Sequence, residues 1–435
     1  MTSAASVTLL LAAFLTFLST EATPIVTIPL DKQYVPVVRN EKVVSYKTAY
    51  FGKVYVGFPQ AQPFTVVFDT GSGHLFLPSS RCETESCLKH NRYNRSLSAS
   101  AEDIDHAGRI IPANTVERDQ VNIAYGTGEV LGEFVRETVC LSTASANFGT
   151  PTQDCTQLRV ITATELTKEP FDSFEFDGVL GLGLGALAVD PEFSFFHQFS
   201  KLNHLGEDSF GYFLSRTDSV PSEISFGGHD SRRLDSELQW VPVHRPELGF
   251  WQMKVKRVSV GGENAAICEE GGCVAIADTG TSLIGVPRKA TQRLHWLLAR
   301  KVPNNPEEID CREFSGPDLI VEFEDGVTIS IGAEDYSRAT AMKVLQSKTG
   351  NSQTICRASL LPVDDDEVLG SKTWILGEPV LRKYYTAYDW RRQQIGWALA
   401  RQPNADETDA SGDSPRHAVY GAPPVSTPLP TIVQV

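Results

Sequence analysis

The stretch VVFDTGSGHLFLPSS, Val66 to Ser80, runs an apolar strand straight into Asp69-Thr70-Gly71-Ser72. A strand that ends on a carboxylate and turns through glycine and hydroxyl residues has an ordinary reading, a turn in which the Asp side chain bonds its own backbone. Three residues alone cannot displace that reading. A second copy can. At a distance of 209 residues, CVAIADTGTSLIGVP (Cys273–Pro287) repeats the pattern as Asp278-Thr279-Gly280-Thr281. Each copy is followed by two apolar residues and a glycine. Val179-Leu180-Gly181 ends 112 residues after Asp69, and Ile375-Leu376-Gly377 ends 99 residues after Asp278. A period this long is no solenoid. Two ordered pairs of signals at similar offsets indicate a duplicated lobe.

Between these markers, from Tyr50 to about Ala400, the pattern is mainly β. Short alternating runs such as FGKVYVGF, VNIAYGTGEVLGEFV and SEISFGG are bounded by Gly, Pro, Asp and Asn. RKATQRLHWLLARKV is the clearest helical signal, with Leu294, Leu297 and Leu298 on one face. With 41% hydrophobic residues the chain can bury a sizeable core. Its formal net charge of -15 argues against nucleic acid as a partner, because phosphate binding needs a basic surface.

The apolar run VTLLLAAFLTFL (Val7–Leu18) followed by STEATP has the form of a secretory signal peptide cleaved after Ala22, although its n-region lacks Lys and Arg. It is short for a membrane span, so no stable anchor is expected after cleavage. The eight cysteines lack paired C-x-x-C spacing. They fit four disulfides in an oxidising compartment better than Cys82, Cys87 and His90 fit a metal. Eight cysteines permit about a hundred connectivities; the simplest joins sequence neighbours, Cys82–Cys87, Cys140–Cys155, Cys268–Cys273 and Cys311–Cys356. Asn94-Arg95-Ser96 is an N-glycosylation sequon in a polar stretch expected to be exposed. After Arg401 the chain is rich in Pro, Ser, Asp and Ala, and disorder is expected.

If the two lobes face each other, Asp69 and Asp278 meet at their interface. Two carboxylates in one small buried site cannot both ionise cheaply, so the pair holds one proton. Such a pair can take a proton from a bound water and give one to a substrate carbonyl, with no metal or cofactor. Gly71 and Gly280 let backbone approach the carboxyls, Ser72 and Thr281 can hold their outer oxygens, and Thr70 and Thr279 can bond across the interface.

The motifs YFGKVYVGFPQAQPFTVVFDTGS, AYGTG, FDGVLGLG, FWQMKVKRVSVGG, AIADTGTSLI and WILGEPVLRKYYTAYDWRRQQIGWA together resemble the pepsin-like aspartic proteases, from Tyr50 to about Ala400. The resemblance implies a mainly β, bilobal fold with pseudo-twofold-related lobes, a few short helices, and a cleft for an extended protein or peptide substrate. It implies Asp69 and Asp278 as the catalytic pair. AYGTG resembles the family's flap, with Tyr125, Gly126 and Thr127 over the substrate. Val67, Tyr125, Phe176 and Val179 match positions lining the pocket before the scissile bond, hence a preference for apolar residues there. Pairs 82–87, 268–273 and 311–356 resemble the family's three common disulfides, and 140–155 is additional. The expected divisions are a signal peptide (1–22), a short prosegment-like region (23–45), an N-terminal lobe (46–228), a C-terminal lobe (229–400) and a disordered tail (401–435).

Three features depart from the family pattern. Phe76 stands where a Trp usually donates an indole N–H to the flap tyrosine, so a looser or differently anchored flap is expected. His74 lies in the turn after Ser72, where it either titrates near the cleft or, as favoured here, is a partly solvated turn residue. The segment before the first lobe is short for a prosegment; Lys32 or Lys42 are its candidates for a basic residue near the dyad, and activation by clipping is not required.

The function expected is an acid endopeptidase, monomeric, secreted or delivered to an acidic vacuole. The alternative is a catalytically silent relative that binds peptides or proteins in the same cleft. Silent relatives commonly lose an Asp or the flap Tyr, and Asp69, Asp278 and Tyr125 are all present.

Overall fold

The computed structural model describes residues 25–402, apart from 40, 114, 143–153, 203–205, 303–308 and 346–351, together with 418–421. The signal peptide expected over 1–22 lies outside the described residues. The fold is mainly β, with few short helices, and bilobal. No described helix is long and apolar enough to cross a membrane.

Among the described residues four strands come first: β1 (Val26–Arg39), β2 (Lys42–Val56), β3 (Gln62–Asp69) and β4 (Leu75–Pro78). β1 folds back on β2 with Asp31 opposite Phe51, and β2 pairs β3 with Phe51 opposite Val67. β3 is rich in β-branched and aromatic residues, and both of its faces become buried towards Asp69. It runs parallel to the strand Gly178–Gly181, with Asp69 opposite Gly181; that strand also pairs β4 antiparallel.

The second half repeats the unit. Val274–Ala277 runs parallel to Thr373–Leu376, with Ala277 opposite Leu376, and Thr373–Leu376 pairs Ile284–Pro287 antiparallel. In both halves the second marker noted in the sequence is the central strand that supports an aspartate. This explains why the two signals travel together.

A six-stranded run of the largest sheet joins the halves. In order it comprises Gln239–Pro242, Gln394–Leu399, Tyr384–Asp389, Ser209–Phe213, Ser222–Phe226 and the Val26–Leu30 part of β1. The main core continues across it through Phe210, Phe226, Trp251 and Tyr388, all fully enclosed. Each such side chain contributes about 1.5–3 kcal/mol of burial. Helix Arg288–Leu298 buries Ala290, Leu294 and Leu298, while Leu297 is half-buried.

The disulfides are Cys82–Cys87, Cys140–Cys155, Cys268–Cys273 and Cys311–Cys356. His90 turns to the Phe171 carbonyl, 3.1 Å away. Within the tail read as disordered, Val419–Tyr420 is a short strand beside β1. This is a correction, because composition reports the absence of a core but cannot show a single docked strand.

Candidate active site

Asp69 ends β3 and Asp278 follows Val274–Ala277, so two equivalent strands deliver the carboxyls to one point. The turns interlock symmetrically. The Thr70 N–H donates to Thr279 Oγ1 at 3.0 Å, and the Thr279 N–H donates to Thr70 Oγ1 at 3.0 Å. Thr70 Oγ1 donates to the Ala277 carbonyl at 2.8 Å, and Thr279 Oγ1 to the Phe68 carbonyl at 2.7 Å. Both threonines are buried, so each backbone N–H would be stranded without the other's hydroxyl.

Glycine is needed at the next position in each loop. A Cβ on Gly280 would stand 2.5 Å from Asp69 Oδ1, and one on Gly71 would stand 2.9 Å from Asp278 Oδ1. Instead the Gly71 N–H donates to Asp69 Oδ1 at 2.9 Å and the Gly280 N–H to Asp278 Oδ1 at 2.8 Å. Thr281 Oγ1 donates to Asp278 Oδ2 at 2.7 Å. Ser72 does not mirror it. Its hydroxyl is buried without a hydrogen-bond partner, as is that of Tyr125, although its proximity lowers the pKa of both Asp69 and Tyr125 against the rise that burial imposes. The expected symmetry of Ser72 and Thr281 is thus broken on the Asp69 side.

Burial raises both carboxyls above the ordinary carboxylate range. For Asp69 the neighbouring Asp278 charge raises it further, against the lowering influence of Ser72 and the Gly71 N–H. For Asp278, bonds from Thr281 and Gly280 offset part of the burial. The two carboxyls come together around the Gly280 position, where a Cβ would stand 2.5 Å from Asp69 Oδ1 and 3.3 Å from Asp278 Oδ1. Asp69 is buried, and Asp278 keeps part of its surface open. Among the described residues no group of three or more His, Cys, Asp and Glu could hold a metal.

Tyr125, Gly126 and Thr127 lie at the tip of a hairpin in which Tyr125 opposes Gly128. Gly126 takes φ +58°, as the first central residue of such a two-residue turn requires. The Tyr125 ring rests on Phe76, 5.0 Å between centroids, and its hydroxyl is enclosed without a hydrogen-bond partner. The hairpin expected to be the flap is therefore anchored by ring packing. Val67, Phe76, Phe176 and Val179 are buried in one cluster with Tyr125 packed against it.

Phe171, Phe174 and Phe51 belong to the same wall. Phe171 meets Phe76 at 5.6 Å, Phe174 stacks on Phe176 at 5.0 Å, and Phe51 meets Phe176 at 6.1 Å. Sequence reasoning missed these three. The crowded aromatics of PFDSFEFDG were the available signal for Phe171 and Phe174. It also missed Gln33, whose side chain donates to the Ser173 carbonyl at 3.0 Å and accepts from the Glu175 N–H at 2.8 Å.

Other expected positions differ. His74 is buried, not partly solvated. Its Nε2 accepts from the Val189 N–H at 2.9 Å, its ring meets Phe193 at 5.6 Å, and burial lowers its pKa to about 4. Lys32 is bonded to Asp218 at 3.0 Å and lies over the Tyr34 and Tyr50 rings, so its charge is engaged by these partners. The Lys42 side chain lies outside the described residues. Asn94 is half-buried, and its side-chain oxygen accepts from the Ser96 N–H at 3.0 Å. A cavity of about 550 Å³ lined by Ala186, His197, Glu247 and Trp390 does not include the carboxyl pair.

Comparison with known proteins gives matches over the same region. The profile of the eukaryotic aspartyl protease family matches residues 49–400. Cathepsin E-A of Xenopus laevis is 30% identical over 368 residues, covering 82% of this chain and 81% of its own. Pepsin A of Callithrix jacchus is 30% identical, covering 83% and 84%. Pepsin A of Bos taurus is 31% identical, covering 81% and 84%.

Proposed function

The chain belongs to the eukaryotic aspartyl protease family and is an aspartic endopeptidase, and on that premise we propose that Asp69 and Asp278 are its catalytic pair, working at acidic pH on bonds flanked by apolar residues. The observation that carries this reading is the reciprocal threonine lock, which holds two raised carboxyls face to face. With one proton between them, the ionised oxygen takes a proton from a water as it attacks the substrate carbonyl. The protonated oxygen donates to the carbonyl oxygen as the carbon becomes tetrahedral. Such a pair titrates as a unit, so the proton belongs to neither residue alone. Collapse of the tetrahedral centre, with proton transfer to the leaving nitrogen, separates the two peptide products.

The apolar preference rests on the Val67, Tyr125, Phe176 and Val179 wall. Both carboxyls come from one chain, which supports a monomer. Four disulfides support a route through an oxidising compartment, and the apolar run Val7–Leu18 supports entry by a signal peptide.

Hydrolysis of denatured haemoglobin or casein between pH 3 and 7 tests the assignment. Activity is expected on the acid side, falling as rising pH strips the shared proton. Pepstatin, a transition-state-like inhibitor of the family, should block it. Asp278→Asn should lower the rate by about 10²–10⁴-fold. Unchanged turnover in that variant would remove the pair from the mechanism. A peptide library favouring Lys, Arg or Asp before the scissile bond would refute the apolar pocket.

A further inference from the structure

Residues Ala418–Gly421 lie along the outer edge of β1. Over Asp31–Arg39, β1 bonds β2 on one side. On the other, Val419–Tyr420 runs parallel to it, with Lys32 opposite Val419 and Gln33 opposite Tyr420. The Lys32 N–H donates to the Ala418 carbonyl at 2.9 Å, and the Ala418 N–H donates to Asp31 Oδ1 at 2.6 Å. The Tyr420 ring stacks on Phe51, 5.9 Å between centroids and 28° between planes. Phe51 in turn packs on Phe176 in the pocket wall. Gly421 has φ +61°, and a Cβ there would stand 2.6 Å from the Tyr34 carbonyl oxygen. The seat therefore has a backbone part, an aromatic part and a position that admits only glycine.

We propose that the edge of β1 at Lys32 and Gln33, with the Phe51 ring beside it, is a second binding surface for extended polypeptide, and that the tail is its resident occupant. A sheet edge offers unpaired N–H and C=O groups to any extended chain, while a neighbouring pocket or ring supplies the preference. Here the preference is for an aromatic residue over Phe51. Because the tail belongs to the same chain, its effective concentration is high and modest contacts keep it seated. A substrate long enough to pass the aromatic wall competes with it for the edge; a short one does not. The substrate half of this proposal rests on peptide lying in the Asp69–Asp278 cleft.

The test uses the full chain with Gly421→Val, and separately Tyr420→Ala. Two quantities are read: hydrogen exchange at the Lys32 amide, and the Kd of two peptides whose scissile bond is reduced. One peptide spans only the pocket beside the dyad; the other extends well beyond it on its N-terminal side and carries aromatic residues there. Both variants should speed Lys32 exchange about tenfold and tighten the extended peptide about five- to tenfold, the size of one backbone hydrogen bond and one aromatic pair. Affinity for the short peptide should stay the same. Unchanged exchange would mean that the tail does not hold the edge. Faster exchange with both affinities unchanged would mean that the edge is no peptide surface. Neither reading needs turnover, so a catalytically dead enzyme would count against the proposed function and leave this test intact.

Discussion

At the residue scale, burial has opposite consequences for His74 and for the carboxyls of Asp69 and Asp278. His74 sits five residues after Asp69, accepts from the Val189 N–H through Nε2, and has its pKa lowered to about 4 by burial alone. An unfolded histidine titrates near 6.5. Between those values the unfolded chain binds more protons than the folded one, so stability falls as pH falls. The contribution is whole above about pH 6.5 and is lost as pH drops through about 4, a loss of about 3 kcal/mol. The dyad behaves in reverse, because carboxyls raised by burial favour the folded state when protonated. His74→Asn keeps an acceptor for Val189 but cannot titrate. Urea unfolding at pH 7, 5.5 and 4 should show the variant losing about 3 kcal/mol less than wild type over that range. Parallel losses in the two proteins would show that His74 is already charged or solvated. The aspartates were legible because a repeat announces itself in sequence. The burial of His74 was not, since it depends on Val189 and Phe193, more than a hundred positions away.

At the element scale, β1 does more than its composition suggests. A polar, β-branched run after a signal peptide reads as a prosegment, because nothing in it names its partners. In the fold its first part pairs Ser222–Phe226 in the sheet joining the lobes, and its second part pairs β2. Gln33 uses both ends of its amide on the loop that carries Phe174 and Phe176. Gln33→Ala removes the partners of the Glu175 N–H and the Ser173 carbonyl on an exposed loop, at about 0.5–1.5 kcal/mol for each hydrogen bond lost. The chemistry of the dyad is untouched. For a substrate with a large apolar residue before the scissile bond, KM should rise several-fold while kcat holds, as for a loss of uniform binding. An equal fall in kcat at constant KM would place Gln33 in the chemical step and refute its role as a support for the wall. The hairpin proposed as the flap was readable from AYGTG, whereas its anchoring on Phe76 required the ring geometry.

At the scale of the whole molecule, the geometry of the proposed catalytic pair is a property of how two lobes meet. The lobes share the six-stranded sheet, and Glu378 of the second accepts from Thr48 Oγ1 at 2.6 Å and the Tyr50 hydroxyl at 2.8 Å in the first. The duplication and the fold class were legible, because each lobe repeats strand, Asp-Thr-Gly and supporting strand. The junction was not, since Glu378, Thr48 and Tyr50 look like ordinary surface and strand residues until the lobes are apposed. Thr70 and Thr279 give this junction its sharpest test. Each hydroxyl accepts from the other residue's N–H and donates to a carbonyl of the opposite lobe. Valine at either position keeps the shape and removes both bonds: each variant strands the other residue's buried N–H and takes a donor from a carbonyl, although the Phe68 carbonyl keeps the Tyr212 hydroxyl at 3.1 Å. Thr70→Val and Thr279→Val should each destabilise the protein by about 2–4 kcal/mol. They should also lower kcat, because the lock sets the carboxyl separation. Since each variant already breaks the shared arrangement, the double variant should cost less than the two combined, with a coupling of about 1 kcal/mol or more. Strict additivity in a double-mutant cycle would mean that the lobes are held apart from this lock, and that something other than the threonines fixes the distance between the carboxyls.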